Sequence, residues 1–384
     1  MTSKETIKHT KHTALKKPLG GEYHTNEWGI IGAPCSIIEE LAKEINQGIA
    51  QSLSTGYLDA DHNKGRKSDK YHSSLTDKIS YLNFKTDSPL RQKQSRKYFS
   101  ELDLLLVNGN HFIADKQIVI INEKKKESLS RKTDRLTDIR IILIEKDADD
   151  IYDFVLDKVS DEKKTLVCRI DQIDRICNAI LKDFIESAAP LFGLVLSGGK
   201  SQRMGEDKGA LNYYDKPHRE YTADLIKKYC FQTFISCRKN QDELIETDHS
   251  KLYDTFDGLG PYGGILSAFR EEPNKAWLSL PCDLPFISED TIKYLVEHRN
   301  PSKLATCFYN PDTDFPEPLI TIWEPKAYPV LLEFLSMGYS CPRKVLINTD
   351  IEMLQMPNPK EMHNANEKAE YLAAKKSLES ATSS

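Results

Sequence analysis

The apolar positions of this chain fall into two kinds of run. Short unbroken runs read as buried strands: Trp28 to Ile31, Leu104-Leu105-Leu106-Val107, Ile118 to Ile121, Ile139 to Ile144, and Leu191-Phe192-Gly193-Leu194-Val195-Leu196. Other stretches place apolar residues near i, i+3, i+4 spacing and predict helices. These are Ile37 to about Ile49, and the segment carrying Ile173, Ile176, Ile180, Leu181 and Phe184. The second half keeps alternating: a helix over Thr222 to Tyr229, a strand over Phe231 to Cys237, and a short strand over Lys251 to Tyr253. A helix through Ile265 to Phe269 and a strand over Ala276 to Leu280 follow. Ser288 is placed to cap a further helix, with Glu289 and Asp290 in its first turn and Ile292, Leu295 and Val296 behind. Strand–helix alternation predicts an α/β fold with a mostly parallel sheet covered on both faces. In such sheets ligands sit at the carboxyl ends of strands.

The pattern breaks at Ser187-Ala188-Ala189-Pro190, read here as a linker between two domains, 25–186 and 191–376. Residues 1–24 and 377–384 are read as tails. A length of 384 residues allows two cores. Charge changes at the same place: residues 1–190 carry net +1 and residues 191–384 net −6. Residues 61–100 hold ten basic and four acidic residues with Ser and Asn between, and read as a solvated loop. The overall net charge of −5 gives no electrostatic footprint for nucleic acid. There is no 18-residue apolar run for a membrane span, and the basic first twenty residues lack the apolar core of a secretory signal. The eight cysteines lack zinc spacing and read as reduced thiols, which fits a cytoplasmic protein.

One loop concentrates chemistry. Leu196-Ser197-Gly198-Gly199-Lys200-Ser201-Gln202-Arg203-Met204-Gly205-Glu206-Asp207-Lys208 follows a strand directly. Glycines let backbone amides approach phosphate oxygens, Arg203 offers a planar fork of donors, and Lys208 a compact charge. It is not a Walker loop, because GxxxxGK[ST] is absent. Asp283 stands just beyond the strand Ala276–Leu280. A single strand-end carboxylate suits Mg²⁺, which takes one or two protein carboxylates together with substrate phosphates. Asp254 holds a similar position after Tyr253.

This loop resembles the LAGGxSxRMGxDK signature of the molybdenum cofactor guanylyltransferases, the MobA family of nucleotidyltransferases, with Ser197 in place of the usual alanine. Further segments agree in order. Tyr253-Asp254 with Gly260-Pro261-Tyr262-Gly263-Gly264-Ile265 resembles D…GPLAGI, and Pro281-Cys282-Asp283-Leu284-Pro285 resembles PCDxP. Phe315-Pro316-Glu317-Pro318-Leu319 resembles a proline-rich substrate segment, and Asn364-Ala365-Asn366 an NxN close. The resemblance covers about residues 190–375 and implies a Rossmann-like nucleotidyltransferase domain that moves GMP from GTP to molybdopterin or Mo-molybdopterin.

By that resemblance, the backbone around Leu196, Ser197, Gly198 and Gly199 binds GTP. Arg203 and Lys208 are catalytic and hold its phosphates. Asp283 is catalytic, binds GTP and holds Mg²⁺; Asp254 binds guanine, with Asp257 as rival because the spacing to Gly260 is one residue short. Asn364 and Asn366 face the pterin, with Pro318, Leu319 and Arg343 beside them. Ser236 stands where the family has a base-contacting asparagine. Molybdenum insertion proteins and recipient molybdoenzymes are the implied partners, with no nucleic acid and no membrane. The rivals are a cytidylyl or sugar-nucleotide transferase, which the double glycine Gly198-Gly199 disfavours, and a non-catalytic scaffold.

In the first half, Trp28 to Ile38 has the strand–loop–helix rhythm of a P-loop without its Gly-Lys-Thr. With Asp59-Ala60-Asp61-His62 and Leu106-Val107-Asn108-Gly109-Asn110 it resembles, over about residues 25–150, a degenerate MobB-type GTP-binding adaptor. His62 and His111 read as surface histidines, and Lys124–Lys126 as a solvated turn.

Overall fold

The computed structural model of the protein describes residues 23–60, 73–77, 82–86, 98–148, 150–197, 208–239, 241, 245–365 and 368–382. The chain divides into two units, Met1–Lys182 and Asp183–Ser384.

The first unit holds β1 (Glu27–Ile31), α1 (Cys35–Ile49), β2 (Thr55–Leu58), β3 (Ser73–Asp77), β4 (Leu82–Thr86), β5 (Leu104–Asn108) and β6 (Lys116–Ile121). There follow α2 (Lys126–Ser130), β7 (Ile139–Ile144), α3 (Asp153–Leu156), β8 (Leu166–Arg169) and α4 (Ile173–Glu186), whose last turn crosses the division. Six strands form one parallel sheet in the order β2-β5-β1-β6-β7-β8. Every residue of β1 and β5 is buried, as unbroken apolar runs require of a sheet covered on both faces. α1 turns Ile38, Leu41, Ala42, Ile45 and Ile49 inward at helical spacing.

Three sequence expectations change here. Residues 61–100 are not all loop: β3 and β4 pair antiparallel, with Leu75 opposite Phe84. Their few apolar residues, Leu75, Leu82 and Phe84, lie in a stretch rich in basic residues. The edge strands gave no apolar run to read: β2 is half-buried throughout and β8 mixes exposed and buried positions. The domain also starts earlier than residue 25, because His24 is buried, its ring bonded to the carbonyls of Asn26 and Leu102. Of Lys124–Lys126, the last opens α2 and sets its ammonium over the Tyr152 ring.

The second unit continues with β9 (Leu191–Leu196), α5 (His218–Lys227), β10 (Gln232–Cys237), β11 (Ser250–Tyr253), α6 (Pro261–Glu271), β12 (Ala276–Pro281) and α7 (Glu289–Glu297). Then come β13 (Ala305–Asn310), β14 (Phe315–Trp323), α8 (Ala327–Ser336), α9 (Pro342–Ile347), β15 (Glu352–Gln355) and α10 (Lys368–Thr382). Seven strands run in the order β11-β10-β9-β12-β14-β13-β15, all pairings parallel except those of β14. Successive residues of β9 enter opposite cores. Val195 joins Ile235, Leu278 and Phe308, while Leu194 joins Tyr262, Phe269, Trp277 and Trp323. The Ser288 hydroxyl accepts from the Thr291 amide at 3.2 Å, as its capping pattern predicts. α10 runs on to Thr382, past residue 376 where the sequence placed the end of the domain.

Candidate active site

Strand register brings the candidate residues of the second unit to one edge. Tyr253 lies beside Cys237, Ser236 beside Leu196, and Leu196 beside Pro281. The residues that follow β11, β9 and β12 therefore emerge side by side, with Ser236 near the end of β10 between them. β9 sits between β10 and β12, so the chain leaves it in one direction and later returns on the other side. That reversal opens a crevice at the carboxyl end of β9.

Ser197 is the last described residue before the glycine-rich stretch. Its N–H donates to the Ser236 carbonyl at 3.3 Å, and its buried hydroxyl accepts from Arg219 Nη1 at 3.3 Å. The sequence assigned this amide to the nucleotide; here it pairs with the strand edge. Gly209, on the far side of the stretch, lies on the same guanidinium. A Cβ there would come within 2.8 Å of Ser197 Oγ and 3.1 Å of Arg219 Nε. Arg219, 3% exposed, thus donates to Ser197 at one described end of the stretch and lies beside Gly209 at the other. It was missed because the helix was read from Thr222, whereas α5 opens at His218 directly after Pro217. Gly198, Gly199 and Arg203 lie outside the described residues, and Lys208 is placed as the first residue of the 3₁₀ turn Lys208–Ala210.

Asp254 is half-buried. Its N–H donates to the Cys237 carbonyl at 2.9 Å and its Oδ1 accepts from the Ser236 hydroxyl at 2.6 Å. Burial lifts its carboxyl above the ordinary value; Ser236 and Arg238 oppose that, and Asp257 adds to it. Ser236, where an asparagine was expected, therefore orients the carboxylate. Gly264 of α6 permits this packing, because a Cβ there would press to 2.9 Å of both Ser236 Oγ and Leu196 Cδ2. The rival Asp257 is exposed.

Asp283 follows β12 by two residues and is partly exposed. Its carbonyl accepts the Ala365 N–H at 3.0 Å, which brings the exposed Asn364 to the same corner. Asn366 lies outside the described residues. β14 runs antiparallel to β12 with Ser279 opposite Thr321, so Pro318 and Leu319 reach the same edge. Arg343 Nη2 lies 3.9 Å from Glu317 Oε2. Among the described residues no three His, Cys, Asp or Glu side chains cluster as a metal cage. At the end of β12 the described donor is the Asp283 carboxylate, which fits an ion completed by substrate phosphates and not one enclosed by protein.

The first unit has a crevice of its own at the end of β1, between β5 and β6. There Asn108 Nδ2 donates to Asp59 Oδ1 at 2.9 Å, joining the two segments singled out in the sequence, and Tyr57 donates to Asp59 Oδ2 at 2.7 Å. His111 is not at the open surface alone: its Nε2 lies 3.3 Å from Cys35 Sγ. His62 is outside the described residues.

A family model described as the MobA-like NTP transferase domain matches residues 193–350. A molybdenum cofactor biosynthesis bifunctional protein of Synechocystis sp. is 37% identical over 186 residues, which is 48% of this chain and 54% of that protein. A molybdenum cofactor guanylyltransferase of Shewanella woodyi is 27% identical over 147 residues, 38% of this chain and 74% of that one. Among solved structures, molybdopterin-guanine dinucleotide biosynthesis protein A from Archaeoglobus fulgidus is 20% identical with a TM-score of 0.42, covering 50% of this chain and 99% of that chain. This chain thus spans about half the length of the Synechocystis relative. Residues 193–350 thus match the MobA-like NTP transferase domain, and the C-terminal half of the chain is similar to molybdenum cofactor guanylyltransferases.

Proposed function

We propose that the second unit transfers GMP from GTP to the terminal phosphate of molybdopterin or its molybdenum-loaded form. The observation that carries this reading is the alignment of Ser197, Ser236 with Asp254, and Asp283 at neighbouring strand ends, directly around the stretch that bears the signature. A phosphate oxygen of the pterin substrate attacks the α-phosphorus of GTP. The bond to the β-phosphate breaks, and pyrophosphate leaves with the electron pair. The attacking group is already anionic, so no strong base is needed, and catalysis rests on positioning and charge neutralisation.

Asp254, held by Ser236, accepts from guanine N1–H and its 2-amino group. Arg219 fixes the loop ends; Arg203 and Lys208 act on the phosphates. Asp283 would hold Mg²⁺ against those phosphates, where the ion supplies charge neutralisation to the leaving group. Asn364 and Asn366 approach the pterin. In the first unit we read a MobB-like domain that lacks the phosphate-binding lysine and does not hydrolyse GTP.

Thermal shift tests the nucleotide choice. GTP with Mg²⁺ at 100 times its Kd should add about 2.7 kcal/mol of stability. CTP at the same concentration should add much less. An equal or larger shift with CTP would assign the unit to the cytidylyl branch.

A further inference from the structure

The turn that carries Asp283 leaves β12 with its backbone held at three consecutive carbonyls, each by a different donor. The Asp283 carbonyl accepts from the Ala365 N–H at 3.0 Å, the Leu284 carbonyl from His218 Nε2 at 3.1 Å and the Pro285 carbonyl from the Tyr214 hydroxyl at 2.7 Å. A carbonyl can only accept, so the His218 proton sits on Nε2. Beyond a strand end the backbone has no ladder to fix it, and donors from elsewhere in the fold set its path.

Two of these donors come from one place. Tyr214 lies in the tight turn closed by the Asn212–Pro217 bridge, where Asp215 takes a left-handed φ of 59°, and His218 follows that turn as the first residue of α5. The Tyr221 ring braces both: it stacks on Tyr214 with centroids 3.9 Å apart and on the fully buried His218 at 5.8 Å. The next residue, Arg219, donates to the Ser197 hydroxyl. The first turn of α5 therefore touches both the Asp283 turn and the described start of the glycine-rich stretch. Tyr214 and His218 reach the backbone on the C-terminal side of the carboxylate, and need touch no ligand to control where that carboxylate stands.

We propose that Tyr214 and His218 are positioning residues for Asp283. By holding the Pro285 and Leu284 carbonyls they fix its carboxylate, and so set how firmly it takes Mg²⁺ beside a bound nucleotide. The inference rests on the nucleotidyl-transfer reading above. Partners that orient a metal-ligating group are typically worth about 10–100-fold in metal affinity.

Calorimetry on the full chain gives the Kd for GTP with Mg²⁺ and with EDTA, and the ratio of the two is the affinity that the ion adds. Tyr214→Phe removes the hydroxyl and keeps the ring. In this variant the ratio should shrink roughly tenfold or vanish, with the Kd in EDTA unchanged. A packing role alone would lower the melting temperature and either leave both Kd values at the wild-type level or weaken both together. Either result overturns the inference and leaves the functional reading standing. His218 supplies an independent pair of variants: His218→Gln keeps an N–H donor and should keep the ratio, whereas His218→Leu has none and should lose it. Equal ratios in that pair would also overturn the inference. A wild type that gains no GTP affinity from Mg²⁺ would overturn it too, with nucleotide binding left standing. A wild type that binds GTP in neither condition would sink the functional reading together with the inference.

Discussion

Both units place a strand–loop connection at the carboxyl end of a central parallel strand, β1 in one and β9 in the other, where strand order reverses. What surrounds the two crevices differs. In the first unit the cations are spent on the backbone: Lys132 Nζ donates to the Asn110 carbonyl at 3.1 Å and Arg135 Nη1 to the Gly109 carbonyl at 2.8 Å. Burial, together with Arg135 and Lys125, lowers the Lys132 ammonium from its ordinary value. The carboxylate nearby, Asp59, is occupied by Tyr57, Asn108 and the Ala60 amide. Burial alone would raise its carboxyl, but those hydrogen bonds outweigh burial and hold it below the ordinary value. In the second unit the buried Arg219 guanidinium donates to the Ser197 hydroxyl, and Asp254 and Asp283 stand at the strand ends. The topology supplies a strand-order reversal twice; the side chains around it differ, and nucleotidyl transfer is proposed for the second unit alone.

The sharpest way to break that contrast is Asp283→Asn. Removing the strand-end charge should lower GMP transfer by about 10²–10³-fold, comparable to deleting one transition-state stabilising group, with the melting temperature retained. Wild-type turnover at saturating Mg²⁺ would remove Asp283 from the site. In the same variant, Mg²⁺-dependent GTP hydrolysis should be absent, since the first unit lacks the P-loop lysine. Residual hydrolysis would show that its crevice is active after all.

The two central helices after these loops open differently, α1 on the exposed Cys35 and α5 on the buried His218. His218 Nε2 bonds the Leu284 carbonyl at 3.1 Å, and burial pushes its ring down to about 4. Between 6.5 and about 4 the unfolded chain binds a proton that the folded unit refuses. Stability is therefore full above pH 6.5 and falls on acidification, by on the order of 3 kcal/mol across the window. Denaturant melts read by tryptophan fluorescence should show this slope in the wild type, and His218→Gln should flatten it. An unchanged slope would assign the acid sensitivity to other groups.

Asp254→Ala should cost on the order of 1–3 kcal/mol in GTP binding, because guanine donors are left unpaired. The loss should be larger for GTP than for ITP, which lacks the 2-amino group. Asp257→Ala is the control. If the GTP-over-ITP preference survives in Asp254→Ala and falls in Asp257→Ala, the base-reading carboxylate is Asp257. The smallest effect belongs to the first unit: Lys132→Ala should leave the GMP transfer rate within about twofold, since its ammonium holds a loop carbonyl and not a substrate.

Much of this arrangement was legible in the sequence. β9 is an unbroken apolar run, β10 and β12 are apolar with polar residues such as Thr233, Ser236 and Ser279 between, and Asp254 and Asp283 follow their strands by simple counting. What stayed hidden has physical reasons. Arg219 is a cation inside a helix face and looks like any solvated arginine until the fold buries it against Ser197. Ser236 seemed a departure from a family pattern, whereas its hydroxyl aims Asp254. The β3–β4 hairpin was obscured by charge counting, because its few apolar residues, Leu75, Leu82 and Phe84, lie in a stretch rich in basic residues.

The account stands or falls on one product analysis. The full-length protein is incubated with Mg²⁺, molybdopterin and either GTP or CTP, and the pterin products and pyrophosphate are quantified. The account predicts a guanine dinucleotide of molybdopterin with one pyrophosphate released per product, and little or no product from CTP. A cytosine dinucleotide as the main product, or no nucleotide joined to the pterin by a protein that binds both substrates, would contradict it.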